Sequence, residues 1–139
     1  MTIQPEIYQV MIAQGRQRSW ADELAQRLSS LPVEVHWPRT ESDAIGLAAA
    51  GRLQLGIVDD ALWQAGGLDL LGRLRQMGID LPCLLVSEEP TQRILARALE
   101  LEVLTVIRAA AYRETLWPAV IDAFQRIGAV DIATAHWRN

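Results

Sequence analysis

A chain of 139 residues, half of them hydrophobic and 22% charged, is long enough for one compact domain with its own buried core, which removes any need for a disulfide or metal staple. The net charge of −4 argues against sequence-independent nucleic-acid binding, which depends on a basic face.

Five short apolar runs alternate with segments of helical period. The first run, Ile7–Ala13, is followed by a helix that Ser19 can cap, with Asp22 three residues on and Trp20, Leu24, Leu28 and Leu31 on one face. The second run, Val33–Trp37, precedes a helix opened by Thr40 and Asp43 and ended by Gly51. The third, Leu53–Val58, leads to a helix from about Leu68 to Met77, with Leu70, Leu71 and Leu74 inward and Gly78 as stop. The fourth, Leu81–Val86, precedes a helix starting near Pro90 whose inward residues are Ile94, Leu95, Ala98 and Leu99. The fifth, Val103–Ile107, leads to a helix over roughly Thr115 to Ile127 that stops at Gly128, with Pro118 required to lie in its first turn.

Runs that are apolar almost throughout suit parallel strands covered on both faces. Strands alternating with helices imply right-handed crossovers and helices on both sides of the sheet. The expectation is an α/β, flavodoxin-like, doubly wound five-stranded parallel sheet of order 2-1-3-4-5. It occupies residues 1–128, and 129–139 form a C-terminal tail. The lone Cys83 sits in an apolar run, which excludes an internal disulfide and a multi-cysteine zinc site. With no signal peptide and no apolar run near the roughly 18 residues of a membrane span, the expected setting is cytoplasmic, away from membranes.

Ligands in this architecture gather at the carboxyl ends of the strands, between the first and the third. The residues there are Ala13, Gln14, Gly15 and Arg16, then Asp59 and Asp60, then Ser87, Glu88 and Glu89, then Arg108. The stretch Asp59–Leu71 (DDALWQAGGLDLL) places an aspartate at a strand end, a glycine, Gly67, eight residues on, and then an apolar helix. The stretch Leu81–Ser87 (LPCLLVS) begins near a proline and ends in a hydroxyl. In this order and spacing, with Arg108 after the fifth strand, the chain resembles the CheY-like receiver domain of response regulators over roughly residues 5 to 127.

That resemblance implies that Asp59 is the equivalent of the phosphoacceptor, whose carboxylate is the nucleophile for a phosphoryl group. It implies that Ser87 is the hydroxyl that bonds the phosphoryl oxygens, and that Arg108 replaces a lysine. The family's two acidic metal-binding residues are here Ala13 and Gln14, and Trp63 stands where a proline is common. Strand five lacks the family's switching aromatic. Mg²⁺ requires hard oxygen ligands, so the expectation is a pseudo-receiver without Mg²⁺ or any other cofactor, not an enzyme, with phosphorylation at Asp59 weakened or lost. Gln14, Asp60, Ser87, Arg108 and Trp63 would line the site, and Arg108, or failing it Arg16, would supply a counter-charge to Asp59.

Output would run through a signalling protein partner, a histidine kinase or an output protein. By resemblance, the fourth helix, fifth strand and fifth helix form the interaction face, with Arg93, Arg97, Glu100, Tyr112, Glu114 and Trp117, and a homodimer through it is one expectation. A conventional Mg²⁺-dependent phosphoacceptor is the alternative, and a small-ligand-binding flavodoxin-like protein is a second. Plainer roles stay open too: Asp59 as a loop or helix cap, Ser87 as an N-cap before Pro90, Arg108 as a surface cation. His36 and His136 have no partners at metal spacing. A G-x-G-x-x-G loop, a P-loop and a G-x-S-x-G elbow are all missing.

Overall fold

The computed structural model describes residues 5–15, 19–129 and 131–132. The elements follow the strand–helix alternation: β1 (Tyr8–Ala13), α1 (Ser19–Leu28), β2 (Val33–His36), α2 (Glu41–Ala49), β3 (Leu55–Asp59), α3 (Gly67–Gln76), β4 (Cys83–Ser87), α4 (Gln92–Glu100), β5 (Thr105–Arg108) and α5 (Tyr112–Arg126). A 3₁₀ turn, Ala109–Ala111, joins β5 to α5. All four strand pairings are parallel and the order is β2-β1-β3-β4-β5. This is the expected five-stranded sheet with five helices, a CheY-like flavodoxin fold. No described helix is long and apolar enough to cross a membrane.

The sheet separates two cores because successive strand residues point to opposite faces. Val10, Ile12, Leu55, Ile57, Leu84 and Val86 share one buried cluster with Trp20, Leu24 and Leu28 of α1 and with Leu116, Val120 and Phe124 of α5. Met11, Ala13, Val58, Cys83 and Leu85 share the other with Ala44 of α2, Leu70, Leu71 and Leu74 of α3 and Ala98 of α4. Thr40 caps α2 through its hydroxyl oxygen, which accepts the Asp43 N–H at 3.1 Å. Gly51, Gly78 and Gly128 stop helices at positive φ (+75°, +75° and +86°), the conformation for which glycine is suited.

Several expectations need correction. Ser19 is already helical, so it does not cap α1, and Leu31 lies past that helix. Thr91 caps α4 by accepting the Ile94 N–H at 3.2 Å, which leaves Ser87 without a capping role. Leu95 and Leu99 point outward, at 46% and 79% exposure, while Ala98 is buried. A stripe of Ile94, Leu95, Ala98 and Leu99 occupies two adjacent columns of the helix, and only the Ile94–Ala98 column meets the sheet. Beyond Gly128, Ala129 and Ile132 are fully buried in the first core, and the Tyr8 hydroxyl donates to Asp131 Oδ1 at 3.1 Å. Residues 133–139, with His136 and Trp137, lie outside the described residues.

Pro118 is the other departure. Because α5 starts at Tyr112, the proline falls in its second turn rather than its first. Its missing N–H leaves the Glu114 carbonyl without an i+4 donor, and its ring crowds the preceding turn. Replacing Pro118 with alanine is therefore expected to stabilise the fold by about 1–2 kcal/mol, most of the helix-interior penalty of proline less the entropy returned to the unfolded chain. Urea denaturation of the variant checks this, and a lower midpoint would contradict it.

Cys83 lies wholly buried at the start of β4, and its thiol donates to the Leu81 carbonyl at 3.3 Å. Burial pushes the thiol up from 9.0 to about 12, against weaker opposing effects of the Arg75 charge and the Gly56 N–H. The unfolded chain therefore sheds a proton above 9.0 that the folded chain keeps until about 12, so this residue lowers stability as pH rises through that window and leaves it unchanged below. The expected result is that wild-type protein loses stability relative to Cys83→Ala only above pH 9.0, and that the native thiol resists disulfide reagents at neutral pH.

Candidate functional site

The parallel registers bring the strand ends to one rim. Ala13 of β1 sits beside Val58, Asp59 beside Val86 of β4, and Ser87 beside Arg108 of β5. Gln14, Asp59, Ser87 and Arg108 thus belong to the same edge of the sheet.

Asp59 closes β3 and is 6% exposed, one of two buried polar residues among those described; Ser87 is the other. Its carboxylate is held by three neutral donors. Ala61 N–H donates to Oδ1 at 2.8 Å, a local turn two residues on. Gly15 N–H donates to Oδ2 at 3.3 Å, and the indole Nε1–H of Trp20 donates to the same oxygen at 3.4 Å. The loop after β1, helix α1 and the loop after β3 therefore all converge on one side chain.

Two close backbone approaches make this possible. A Cβ at Gly15 would stand 2.6 Å from the Ala61 carbonyl oxygen and 3.1 Å from the Asp59 carboxyl carbon. A Cβ at Gly67 would stand 2.3 Å from the Asp59 carbonyl oxygen. Gly66, the N-cap of α3, has φ +88° and no side chain to cap with, so Asp59 is a loop anchor and not a helix cap.

The other sequence-derived residues fall around Asp59 in different ways. Asp60, Trp63 and Glu88 line, with Asp59, an open cleft of about 530 Å³. Trp63 has φ +51°, a left-handed conformation that a bulky residue rarely adopts. Ser87 donates through Oγ to Asp60 Oδ2 at 3.2 Å, so its hydroxyl serves Asp60. Gln14 is half-buried beside Gly15. Arg108 is exposed, and no ion pair among the described residues joins it to Asp59. Register explains the difference: Asp59 pairs with Val86 and Arg108 with Ser87, so the two side chains leave opposite faces of the sheet with β4 between them. Arg16, the other expected counter-charge, lies outside the described residues.

Five of the six residues assigned to an interaction face divide between two grooves. Arg93, Arg97 and Glu100 line one with Leu68 of α3. Tyr112 and Trp117 line another between α1 and α5, where Arg27 stacks 4.9 Å from the Trp117 ring centroid. Trp20 is the residue that sequence reasoning missed. Its helical spacing marked it as core, which it is, but its indole N–H also reaches the site. The available signal was that a buried tryptophan must find an acceptor.

A five-stranded 2-1-3-4-5 sheet with a buried aspartate ending β3 defines a receiver-type domain architecture. Neither a protein-family model nor a curated protein matches the sequence. Solved structures do match. The signal receiver domain of an HD domain-containing protein from Pseudomonas fluorescens Pf-5 is 25% identical, with a TM-score of 0.73 over 88% of this chain and 98% of that one. A CheY-like response regulator receiver domain protein from Methanospirillum hungatei JF-1 is 15% identical, with a TM-score of 0.70 over 86% and 95%. A LuxR-family DNA-binding response regulator from Staphylococcus aureus is 16% identical, with a TM-score of 0.70 over 84% and 98%. The last two speak to the fold alone.

Proposed function

We propose that this chain is a receiver-like signalling module that acts through contacts with a protein partner, and that phosphorylation at Asp59 is weakened or lost. The observation that carries the reading is the engagement of the Asp59 carboxylate by Ala61, Gly15 and Trp20, with both oxygens held by the protein's own donors. A carboxylate so held has its charge partly offset by neutral donors and most of its acceptor positions taken, with Oδ2 engaged twice, which lowers its reactivity as a nucleophile.

The metal side supports the same reading. The end of β1 offers a buried alanine and an amide in place of two carboxylates, and among the described residues no group of three histidine, cysteine or acidic side chains could hold an ion. That donor set does not suit the oxygen-rich octahedral shell of Mg²⁺. The partner surface is the α4–β5–α5 side, where Leu95 and Leu99 of α4 are exposed, on the flank opposite Arg93 and Arg97; a histidine kinase, an output protein or a second copy of this chain would meet it there.

The test is incubation with acetyl phosphate, with and without Mg²⁺, read by intact-protein mass. In that reaction an Asp59 oxygen attacks phosphorus, the phosphorus–oxygen bond to acetate breaks, and acetate leaves with the electron pair. Little or no mass gain is expected. Full Mg²⁺-dependent modification that Asp59→Ala abolishes would overturn the reading in favour of a conventional phosphoacceptor.

A further inference from the structure

We infer that Trp20 is a positioning residue of the Asp59 site: its indole N–H holds Oδ2 from within the core and keeps that oxygen from an incoming phosphoryl-like group. This deepens, and rests on, the reading of Asp59 as a weakened acceptor.

Trp20 is 2% exposed in the core between the sheet, α1 and α5. Burial leaves its single donor with one recourse, an acceptor inside the protein, because an unpaired buried N–H is costly. No described buried side-chain nitrogen or oxygen lacks a partner, and the Trp20 donor is satisfied by Asp59 Oδ2 at 3.4 Å, across 39 residues of sequence. The packing that fixes the ring therefore also fixes the direction from which Oδ2 is engaged. The two other donors are main-chain groups that no side-chain change can remove, so the indole is the only side chain among the three. The ring also borders the α1–α5 groove of about 330 Å³, so the residue that grips Asp59 meets a surface away from the cleft.

Two measurements test this. The first reads the indole N–H resonance of Trp20 in wild-type protein and in Asp59→Ala. Removing the acceptor is expected to speed exchange of that proton about tenfold, the factor commanded by one hydrogen bond to a charged group. A purely structural core tryptophan would keep its exchange rate and shift, and that result would overturn the assignment. The second compares binding of beryllofluoride with Mg²⁺, by fluorine NMR, in wild type and Trp20→Phe, which keeps an aromatic ring and deletes the donor. Affinity about tenfold higher in Trp20→Phe is expected; equal uptake, detectable or not, would overturn the inference. Should wild-type protein already take up beryllofluoride fully, the reading of a weakened acceptor falls, and the indole resonance alone decides the role of Trp20. The first measurement does not require the phenylalanine variant to fold.

Discussion

Replacing Gly67 with alanine is expected to destabilise the protein by about 3 kcal/mol and to displace Asp59, the upper part of the range for overpacking a rigid site. The added methyl group would lie 2.3 Å from the Asp59 carbonyl oxygen and 2.7 Å from Val58 Cγ1. The first neighbour is backbone within β3, which is paired on both sides and cannot retreat. Gly67 itself is anchored, since its N–H donates to the Asp60 carbonyl at 3.0 Å. Relief would have to come from the turn before α3, and that turn carries the Ala61 donor and the Trp63 backbone at φ +51°. Thermal and urea denaturation give the stability loss. A shift of the Ala61 amide resonance would report the moved carboxylate, and a variant as stable as wild type would show the approach to be looser than these distances imply.

Truncating Phe124 to alanine is expected to cost about 3–5 kcal/mol, the usual loss for a fully buried aromatic. Phe124 is wholly buried on α5 and meets Tyr8 edge to face, with ring centroids 6.0 Å apart and planes at 73°. That pair joins the start of β1 to the last helix. The Ala129 N–H bonds the Phe124 carbonyl at 2.8 Å, and Ala129 and Ile132 pack into the same cluster. The cavity would therefore open where the chain's first strand meets its last described residues, and little nearby can collapse into it. Phe124→Leu, which refills part of the space, should recover about half of the loss. Equal losses in the two variants would mean that the ring pair, and not the volume, carries the energy.

Much of the architecture could be read from the sequence because buried parallel strands announce themselves. LGIV, CLLV and TVI have no alternation, and only a sheet covered on both faces asks for that. Asp59 could be read because an acid directly after such a run must stand at the strand's carboxyl end, and because Gly67, eight residues on, matches the spacing that resembles receiver domains. What the pattern could not carry was direction. The α4 stripe fits two faces equally well, and the choice depends on how much of the helix overlies β4 and β5. The partner of Asp59 was likewise beyond reach. Arg108 was the expected counter-charge on grounds of proximity to the rim, but strand register sends it to the other face. Trp20 matched a core position so well that its donor was overlooked. Pro118 was assigned to a first turn because the 3₁₀ turn that advances the start of α5 leaves no mark in Ala109–Ala111.

The triple grip on Asp59 turns a group usually kept for reaction into a rivet between three segments of the chain. In most reactive sites an acidic residue is tolerated at a cost, and its removal firms the fold. Here deletion of the carboxylate would strand the Trp20 donor in a dry interior and loosen the loops that carry Gly15 and Ala61. Asp59→Ala should therefore melt earlier than wild type. A protein that had given up phosphoryl chemistry would still have reason to keep this aspartate, so its presence at the end of β3 is a poor witness to whether the chemistry survives.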